Sequence, residues 1–380
     1  MDDIALHGGL IGQQGSRAAL NTPVLVLDRD ALDRNIARMA ALVEQHGVKL
    51  RPHAKTHKSV NIARRQIAAG AVGVCCAKIG EAEVLADGGI EGLLITSPVA
   101  APGAIARLAS LAGRSPGLLA VVDHPDVAAS INQALTISGA TLGVVIDIDP
   151  GIRRTGVASP EATVALAQAI AGLPQLKYGG VQFYCGSHQH IASFADRRAA
   201  IAERTDYLRS VLDALTAAGH AAELITGSGT GTHRIDLDLG VFTELQAGSY
   251  VFMDRQYLDC ELTEGDPAPF ETALLVDTRV VSANYGPLVT IDAGFKSLST
   301  DGGKAGIVRG APESAAFTFM GDEHAALIAP GIGDALRPGD VVTLVVPHCD
   351  PTVNLYDHYH VVQDETLVEI WPVSARGRAR

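Results

Sequence analysis

The chain has 380 residues, 47% apolar and 19% charged, with a net charge of −12. Those proportions describe a soluble globular protein and exclude a disordered or fibrous one. The acidity argues against nucleic acid and anionic membranes as partners, since either selects a basic face. A length above one typical domain predicts two. The amino terminus has no basic segment followed by a long apolar one, so no secretion signal is expected. No apolar run approaches the ~20 residues that span a bilayer. Five cysteines, Cys75, Cys76, Cys185, Cys260 and Cys349, form no C-x-x-C spacing. They predict reduced thiols in a cytoplasmic protein rather than a disulfide framework or a thiolate zinc site.

In chain order, residues 1–20 contain Gly8, Gly9, Gly12 and Gly15 and read as a flexible or loosely docked arm. Thr22 to Leu27 reads as a strand, and Leu32, Ile36, Met39 and Leu42 then recur at helical spacing. Val48 to Arg51 reads as the end of a further strand, because Pro52 biases Arg51 toward extended geometry. Strand-like runs follow at 72–76, 92–96, 118–122, 142–148, 179–184, 223–226 and 245–252, separated by helix-length segments. With the strand ending at Arg51 they make eight parallel βα units over roughly 220 residues, which predicts a closed (β/α)8 barrel of the TIM type. An open doubly wound sheet is the alternative. Beyond about residue 268 the runs at 272–277, 279–281, 288–292, 341–346 and 359–362 lack intervening long helices and predict a second, all-β domain.

Four stretches carry residue types suited to chemistry. In Arg51-Pro-His-Ala-Lys-Thr-His-Lys58 an extended backbone would put His53, Lys55 and His57 on one face. Lys55 at a strand's carboxyl end is either a solvated loop residue or a desolvated amine nucleophile toward an aldehyde. The loop Thr226, Gly227, Ser228, Gly229, Thr230, Gly231 and Thr232 follows the seventh barrel strand, where backbone N–H groups of a barrel commonly hold phosphate. His188 and His190 leave the sixth strand and have the pKa range of a general base. In Val346-Pro-His-Cys-Asp-Pro-Thr-Val-Asn354, an extended backbone would point His348 and Asp350 to one side and Cys349 to the other. An imidazole and a carboxylate are suited to Mn²⁺, Mg²⁺ or Ca²⁺, whereas a His and Cys pair favours Zn²⁺. Two ligands also describe an ordinary solvated turn.

The string Arg-Pro-His-Ala-Lys-Thr-His-Lys resembles the pyridoxal-phosphate lysine motif of the D-threonine aldolase and 3-hydroxy-D-aspartate aldolase family, whose fold is alanine-racemase-like. The resemblance runs nearly the whole chain past the arm. It implies that Lys55 carries pyridoxal 5'-phosphate covalently, and that the strand at 21–28 joins a β-barrel-like domain at 268–380, leaving 29–267 as the barrel. Gln246-Ala-Gly-Ser-Tyr250 matches the family's Gln-x-Gly-Ser-Tyr, so Gly248, Ser249 and Tyr250 are implied on the phosphate side, with Tyr257 as neighbour. Arg154, rather than Arg153, falls on the arginine of Gly-Arg-x-Gly-Val, where a guanidinium can hold the cofactor's phenolate oxygen. Motif position favours His190 over His188 as the base. His-x-Asp followed by Pro-Thr-x-Asn-x-x-Asp resembles the family's metal motif, which implies a divalent cation (Mn or Mg, with Zn or Ca as alternatives) on His348 and Asp350. Related D-serine and 3-hydroxyaspartate dehydratases place cysteine where Asp350 stands. The implied reaction is therefore retro-aldol cleavage of a small D-β-hydroxy amino acid to glycine and an aldehyde, with glyoxylate as the aldehyde from 3-hydroxy-D-aspartate. Dehydration to a 2-oxo acid and ammonia is the alternative, and a homodimer is implied. One departure is Ala77, where aldolases of this group carry glutamine before Lys78.

Overall fold

In a computed structural model, residues 2–265 and 269–380 are described, and the expected domain boundary at 267/268 lies outside them. Among the described residues the barrel has eight parallel strands in one sheet. After the strand β1 (Val24–Asp28), these are β2 (Lys49–Leu50), β3 (Cys75–Cys76), β4 (Leu94–Ile95), β5 (Leu119–Val122), β6 (Leu142–Ile148), β7 (Leu176–Phe183), β8 (Leu224–Gly227) and β9 (Glu244–Leu245). Their order β2-β9-β8-β7-β6-β5-β4-β3 leaves β2 and β3 as neighbours, and a parallel bridge between His53 and Cys75 closes the ring. At that seam the Ala54 N–H donates to the Cys75 carbonyl (2.8 Å) and the Cys75 N–H to the Pro52 carbonyl (2.9 Å). Helices cover the outside, so the strands read as continuous apolar runs: Val144, Val145 and Ile146 are all fully buried.

The helix before β2, Arg29–Gln45, starts because Asp28 caps it, accepting the Ala31 N–H at 2.9 Å. It buries Leu32, Ile36, Met39 and Val43. Asp28 also ends β1, so the turn from strand to helix is the step between the two domains.

The second domain is built on β10 (Leu274–Tyr285), β11 (Leu288–Ile291), β12 (Gly306–Arg309), β13 (Ala316–Phe319), β14 (Ala325–Ile328), β15 (Val341–Val345), β16 (His358–Gln363) and β17 (Thr366–Pro372). The chain's first strand completes it, β1 lying antiparallel to β10 and parallel to β16. The runs predicted at 272–277 and 279–281 are one strand, β10, whose register shifts against β11. Strands β12, β13, β14 and β17 had no counterpart among the predicted runs. No helix among the described residues is long and apolar enough to cross a membrane.

Residues 2–20, expected as a flexible or loosely docked arm, lie against this sheet. Arg17 is buried and paired with Asp277 (Nε–Oδ2 2.8 Å, Nη2–Oδ1 2.9 Å), which also accepts from Thr343 Oγ1. His7 is buried 2.8 Å from His360, Nδ1 to Nε2. Asp3, His7 and His360 bring ligand-type atoms within 4.8 Å of one another. The Asn21 N–H, however, donates to His7 Nε2 (3.0 Å), so Nδ1 carries the proton of the neutral ring and donates it to His360. That tautomer makes the cluster a hydrogen-bonded latch and leaves no lone pair on Nδ1 for a cation.

Beside the closing seam, Arg51 forms a two-pronged ion pair with Glu244 of β9 (both N–O distances 2.9 Å), and Glu244 also accepts from Thr226 Oγ1 (2.9 Å). Both charged side chains are buried, at 9% and 1% exposure. Truncating one leaves the other charged and uncompensated. Glu244→Ala is therefore expected to lower the unfolding free energy by about 3–5 kcal/mol in urea titration; an unchanged midpoint would show that the pair does not hold the barrel.

Candidate active site

Closing the barrel places Lys55 one residue past the seam. The chain does not continue extended there: the His57 and Lys58 N–H groups both return to the Ala54 carbonyl (3.1 and 2.6 Å), forming a tight turn. The face expected to hold His53, Lys55 and His57 together is therefore broken. His53 and Lys55 line a cavity, whereas His57 turns into the core. His57 Nδ1 accepts the Ser59 N–H and its other nitrogen faces Gln66 Oε1, while burial pushes its pKa down to about 4. Gln66 in turn donates to the Tyr250 hydroxyl (3.2 Å), and Tyr250 is fully buried.

The cavity, of about 450 Å³, opens at the carboxyl ends of the barrel strands. Of the residues singled out from the sequence, it brings together Lys55, Arg154, Ser228, Gly229, Thr230, Gly248, Ser249 and Tyr257. Thr226, Gly227 and Tyr250 do not line it, nor do His190, His348 and Asp350, of which Asp350 meets it through Lys55. Thr226 lies beneath, in a buried chain in which Gln246 Nε2 donates to Thr226 Oγ1 (3.0 Å) and Gln182 Oε1 (3.2 Å), and Gln182 donates to Asp147 (2.8 Å). Gly227 is packed on β7, where a Cβ would come 2.0 Å from the Phe183 carbonyl oxygen. Tyr250 supplies its backbone instead, donating N–H to Thr230 Oγ1 (3.0 Å).

The glycine-rich loop also differs from the expected array of free N–H groups. The Gly229 N–H goes to Thr232 Oγ1 (3.3 Å) and the Gly231 N–H to Gln189 Oε1 (3.0 Å), so the loop spends these donors on its own shape. The cavity side then offers the hydroxyl-bearing Ser228, Thr230 and Ser249. Across from them, Arg154 sits over the Tyr184 ring (5.6 Å) on the loop after β6. Asp149 Oδ1 accepts three successive N–H groups of that loop, from Gly151, Ile152 and Arg153, and Thr155 Oγ1 donates to Asp147 (2.7 Å). Arg153 lines a wider outer hollow of about 630 Å³ that meets the cavity at Asp123, Arg154 and Thr155.

Lys55 Nζ lies 3.2 Å from Asp350 Oδ2, so the lysine of the barrel meets a carboxylate of the second domain. The sequence reading expected desolvation to strip the lysine's proton. Instead Asp350 outweighs desolvation and raises the Lys55 pKa, making it a firm ammonium in this state. Burial alone would push Asp350 up, but Lys55 and then His348 hold it well below the usual carboxylate range.

Asp350 is carried by a short helix, Cys349–Val353, and His348 stands just before it. The predicted extended geometry does not extend to Asp350, although His348 itself is extended (φ −142°, ψ 125°). Cys349 is fully buried and its thiol contacts Asp350 Oδ1 (3.4 Å), while from this segment it is the Asp350 carboxylate that meets Lys55 and the His348 imidazole turns its Nδ1 to Asp301. The segment is pinned to the barrel by Asp254, a fully buried carboxylate. One oxygen accepts the Cys349 N–H (2.8 Å) and the other the Tyr257 N–H (3.2 Å). His190 packs against Tyr257, the ring centroids 4.6 Å apart and the planes tilted by 44°. The histidine keeps an exposed side, and partial desolvation, then the charge on His348, lowers its pKa. His188 instead sits beside Ser187 Oγ (3.2 Å).

Residues absent from the sequence reading include Asp123, Asp254 and Asp301. Asp123, directly after β5, was open to discovery from its place at a barrel strand's carboxyl end. The other two act only through tertiary contacts. Ala77, where glutamine is the family habit, lines the cavity beside Lys78.

Residues 27–256 match the family model described as alanine racemase, N-terminal domain, and residues 273–362 match a serine dehydratase domain. The chain is 38% identical to a 3-hydroxy-D-aspartate aldolase of Paracoccus denitrificans (strain Pd 1222), over 94% of this chain and 93% of that one. The crystal structure of a D-threonine aldolase from Filomicrobium marinum superimposes with a TM-score of 0.91 at 37% identity, covering 96% of this chain and 97% of that one. A mutant of D-threo-3-hydroxyaspartate dehydratase, in its metal-free form, superimposes at 0.83 with 27% identity, covering 94% and 98%.

The glycine-rich loop gives a direct test of the packing. A Cβ on residue 231 would lie 1.9 Å from the Gln189 carbonyl oxygen, a backbone atom. Gly231→Ala is expected to destabilise by about 1–3 kcal/mol or more in denaturant titration; wild-type stability would mean that the loop is not held against Gln189.

Proposed function

The chain belongs to the alanine racemase N-terminal domain family, and from that premise we propose that it is a carbon–carbon lyase cleaving D-β-hydroxy amino acids to glycine and an aldehyde. Its relatives include an aldolase of 3-hydroxy-D-aspartate and one of D-threonine. The observation that carries the reading is the 3.2 Å approach of Lys55 to Asp350, which joins an amine in a hydroxyl-lined cavity to a His and Asp pair.

The fold implies pyridoxal 5'-phosphate, and the cavity fits it. Lys55 would hold its aldehyde carbon, Ser228, Thr230 and Ser249 its phosphate, and Arg154 its ring oxygen. The cofactor supplies an electron sink for the pair left on Cα when Cα–Cβ breaks. His348 and Asp350 would hold a divalent cation, whose chemistry is Lewis-acid stabilisation of an oxygen gaining charge. An imidazole and a carboxylate, with the Cys349 thiol fully buried and donating to Asp350, suit Mn²⁺ or Mg²⁺ better than a thiolate-selecting ion. The 3.2 Å contact of the Lys55 ammonium with Asp350 supports this reading, since that carboxylate already faces a positive charge.

The remaining demand is on the protein. As Cα–Cβ breaks, the β-hydroxyl becomes a carbonyl and must lose its proton. On this reading His190, whose pKa is lowered by desolvation and then by the charge on His348, accepts it. Asp254 fixes the relative position of Tyr257 and the 348–350 segment, which keeps His190 and the pair in register. Arg154 and Tyr184 also line the cavity.

The test supplies purified protein with pyridoxal phosphate and Mn²⁺, then D-threonine or 3-hydroxy-D-aspartate, and quantifies glycine plus aldehyde against 2-oxo acid plus ammonia. Glycine and aldehyde are expected, lost on exhaustive chelation and restored by Mn²⁺. His190→Asn should lower kcat about 10²–10⁴-fold while the cofactor's visible absorbance persists. Ammonia and a 2-oxo acid as the products, or full turnover after chelation, would overturn the proposal.

A further inference from the structure

The 348–350 segment is enclosed by a second stretch of chain. Ser299 lies against it: the His348 N–H donates to Ser299 Oγ (3.1 Å), Ser299 Oγ donates to the His348 carbonyl (3.1 Å), and the Ser299 N–H donates to Thr352 Oγ1 (3.1 Å). Thr352 Oγ1 donates to the same His348 carbonyl (2.8 Å). Three residues beyond Ser299, Gly302 presses on the segment so closely that a Cβ there would lie 2.7 Å from the Pro347 carbonyl and 2.9 Å from His348 Cβ. Between them stands Asp301, whose Oδ2 is 2.7 Å from His348 Nδ1.

A carboxylate only accepts, so His348 Nδ1 must carry a hydrogen whatever the ring's charge. The lone pair that a neutral His348 can offer is then confined to Nε2. Ligating histidines almost always have their second nitrogen held this way, which sets the ring's orientation and strengthens it as a donor. Asp301 is more than half exposed (55%), so as a bare ion pair it would contribute little to stability. The moulding of Ser299 and Gly302 around His348 gives its position another purpose.

We propose that Asp301 is a positioning residue for the cation site: it fixes His348 as the Nδ1–H tautomer and presents Nε2 to a divalent ion shared with Asp350. This rests on the proposed cation at His348 and Asp350. Asp301 itself touches neither cofactor nor substrate in this account. Asp301→Asn keeps an oxygen acceptor without the charge, and Asp301→Ala removes both.

The experiment titrates Mn²⁺ into the pyridoxal-phosphate-loaded native protein and into D301A, D301N and H348A, reading free Mn²⁺ by electron paramagnetic resonance. Thermal midpoint without Mn²⁺ and cofactor absorbance serve as controls. D301A is expected to raise the Mn²⁺ dissociation constant about 10–100-fold, D301N less, with both controls unchanged and kcat recovering at saturating Mn²⁺. Native-like Mn²⁺ affinity in D301A, with affinity lost in H348A, would overturn the role of Asp301 alone. Unchanged affinity in H348A would remove the premise itself and the proposal with it.

Discussion

The Lys55 ammonium and the Asp350 carboxylate meet at 3.2 Å across the junction of two domains, and the architecture serves that meeting. Each charge settles the other's protonation state, Lys55 upward and Asp350 downward, in a region where neither has its full water. The approach needs a closed barrel, because Lys55 follows directly on the seam between β2 and β3. It also needs a second domain that cannot swing away. The chain secures this twice, by lending β1 to the second sheet before the barrel begins and by clamping the 346–349 backbone onto residues 254 and 255.

Much of this was legible in the sequence because it is local. A strand ending at proline, a glycine-rich loop after the seventh strand and a His-x-Asp before a proline are all visible in a few residues, and the strand count located the first two on a barrel. The parts that stayed hidden depend on what the chain does over longer distances. His57 leaves the cavity because a turn at Ala54 reverses the alternation that an extended strand would give. Thr226 and Gly227 share a loop with cavity residues yet belong to the strand below it, a difference of one or two residues that spacing does not resolve. Strands β12 and β13 carry too few buried positions to alternate clearly, with Gly306–Arg309 half-buried or exposed throughout. Asp254 and Asp301 are single carboxylates in ordinary sequence surroundings, defined only by the backbone and imidazole they meet.

The distinction between cleaving Cα–Cβ and expelling the β-hydroxyl falls on the 348–350 segment. Its helix begins at Cys349, whose thiol is fully buried, and it is the Asp350 carboxylate that meets Lys55. In the proposed function, a hard donor pair working with a histidine base favours taking a proton from the β-hydroxyl and stabilising the oxygen left behind. On the proposed reading, the cavity that holds the cofactor and the pair that handles the β-oxygen are separate devices joined at one contact.

That separation is most directly tested by Asp350→Ala, loaded with pyridoxal phosphate and assayed for aldehyde from D-threonine at saturating Mn²⁺. The account predicts that the cofactor's visible absorbance remains, because Lys55 and the hydroxyl-lined wall are intact, while aldehyde formation falls by at least about 10²-fold. Turnover within a few-fold of the native protein would contradict it, showing that the carboxylate meeting Lys55 is structural and that the β-oxygen is handled elsewhere.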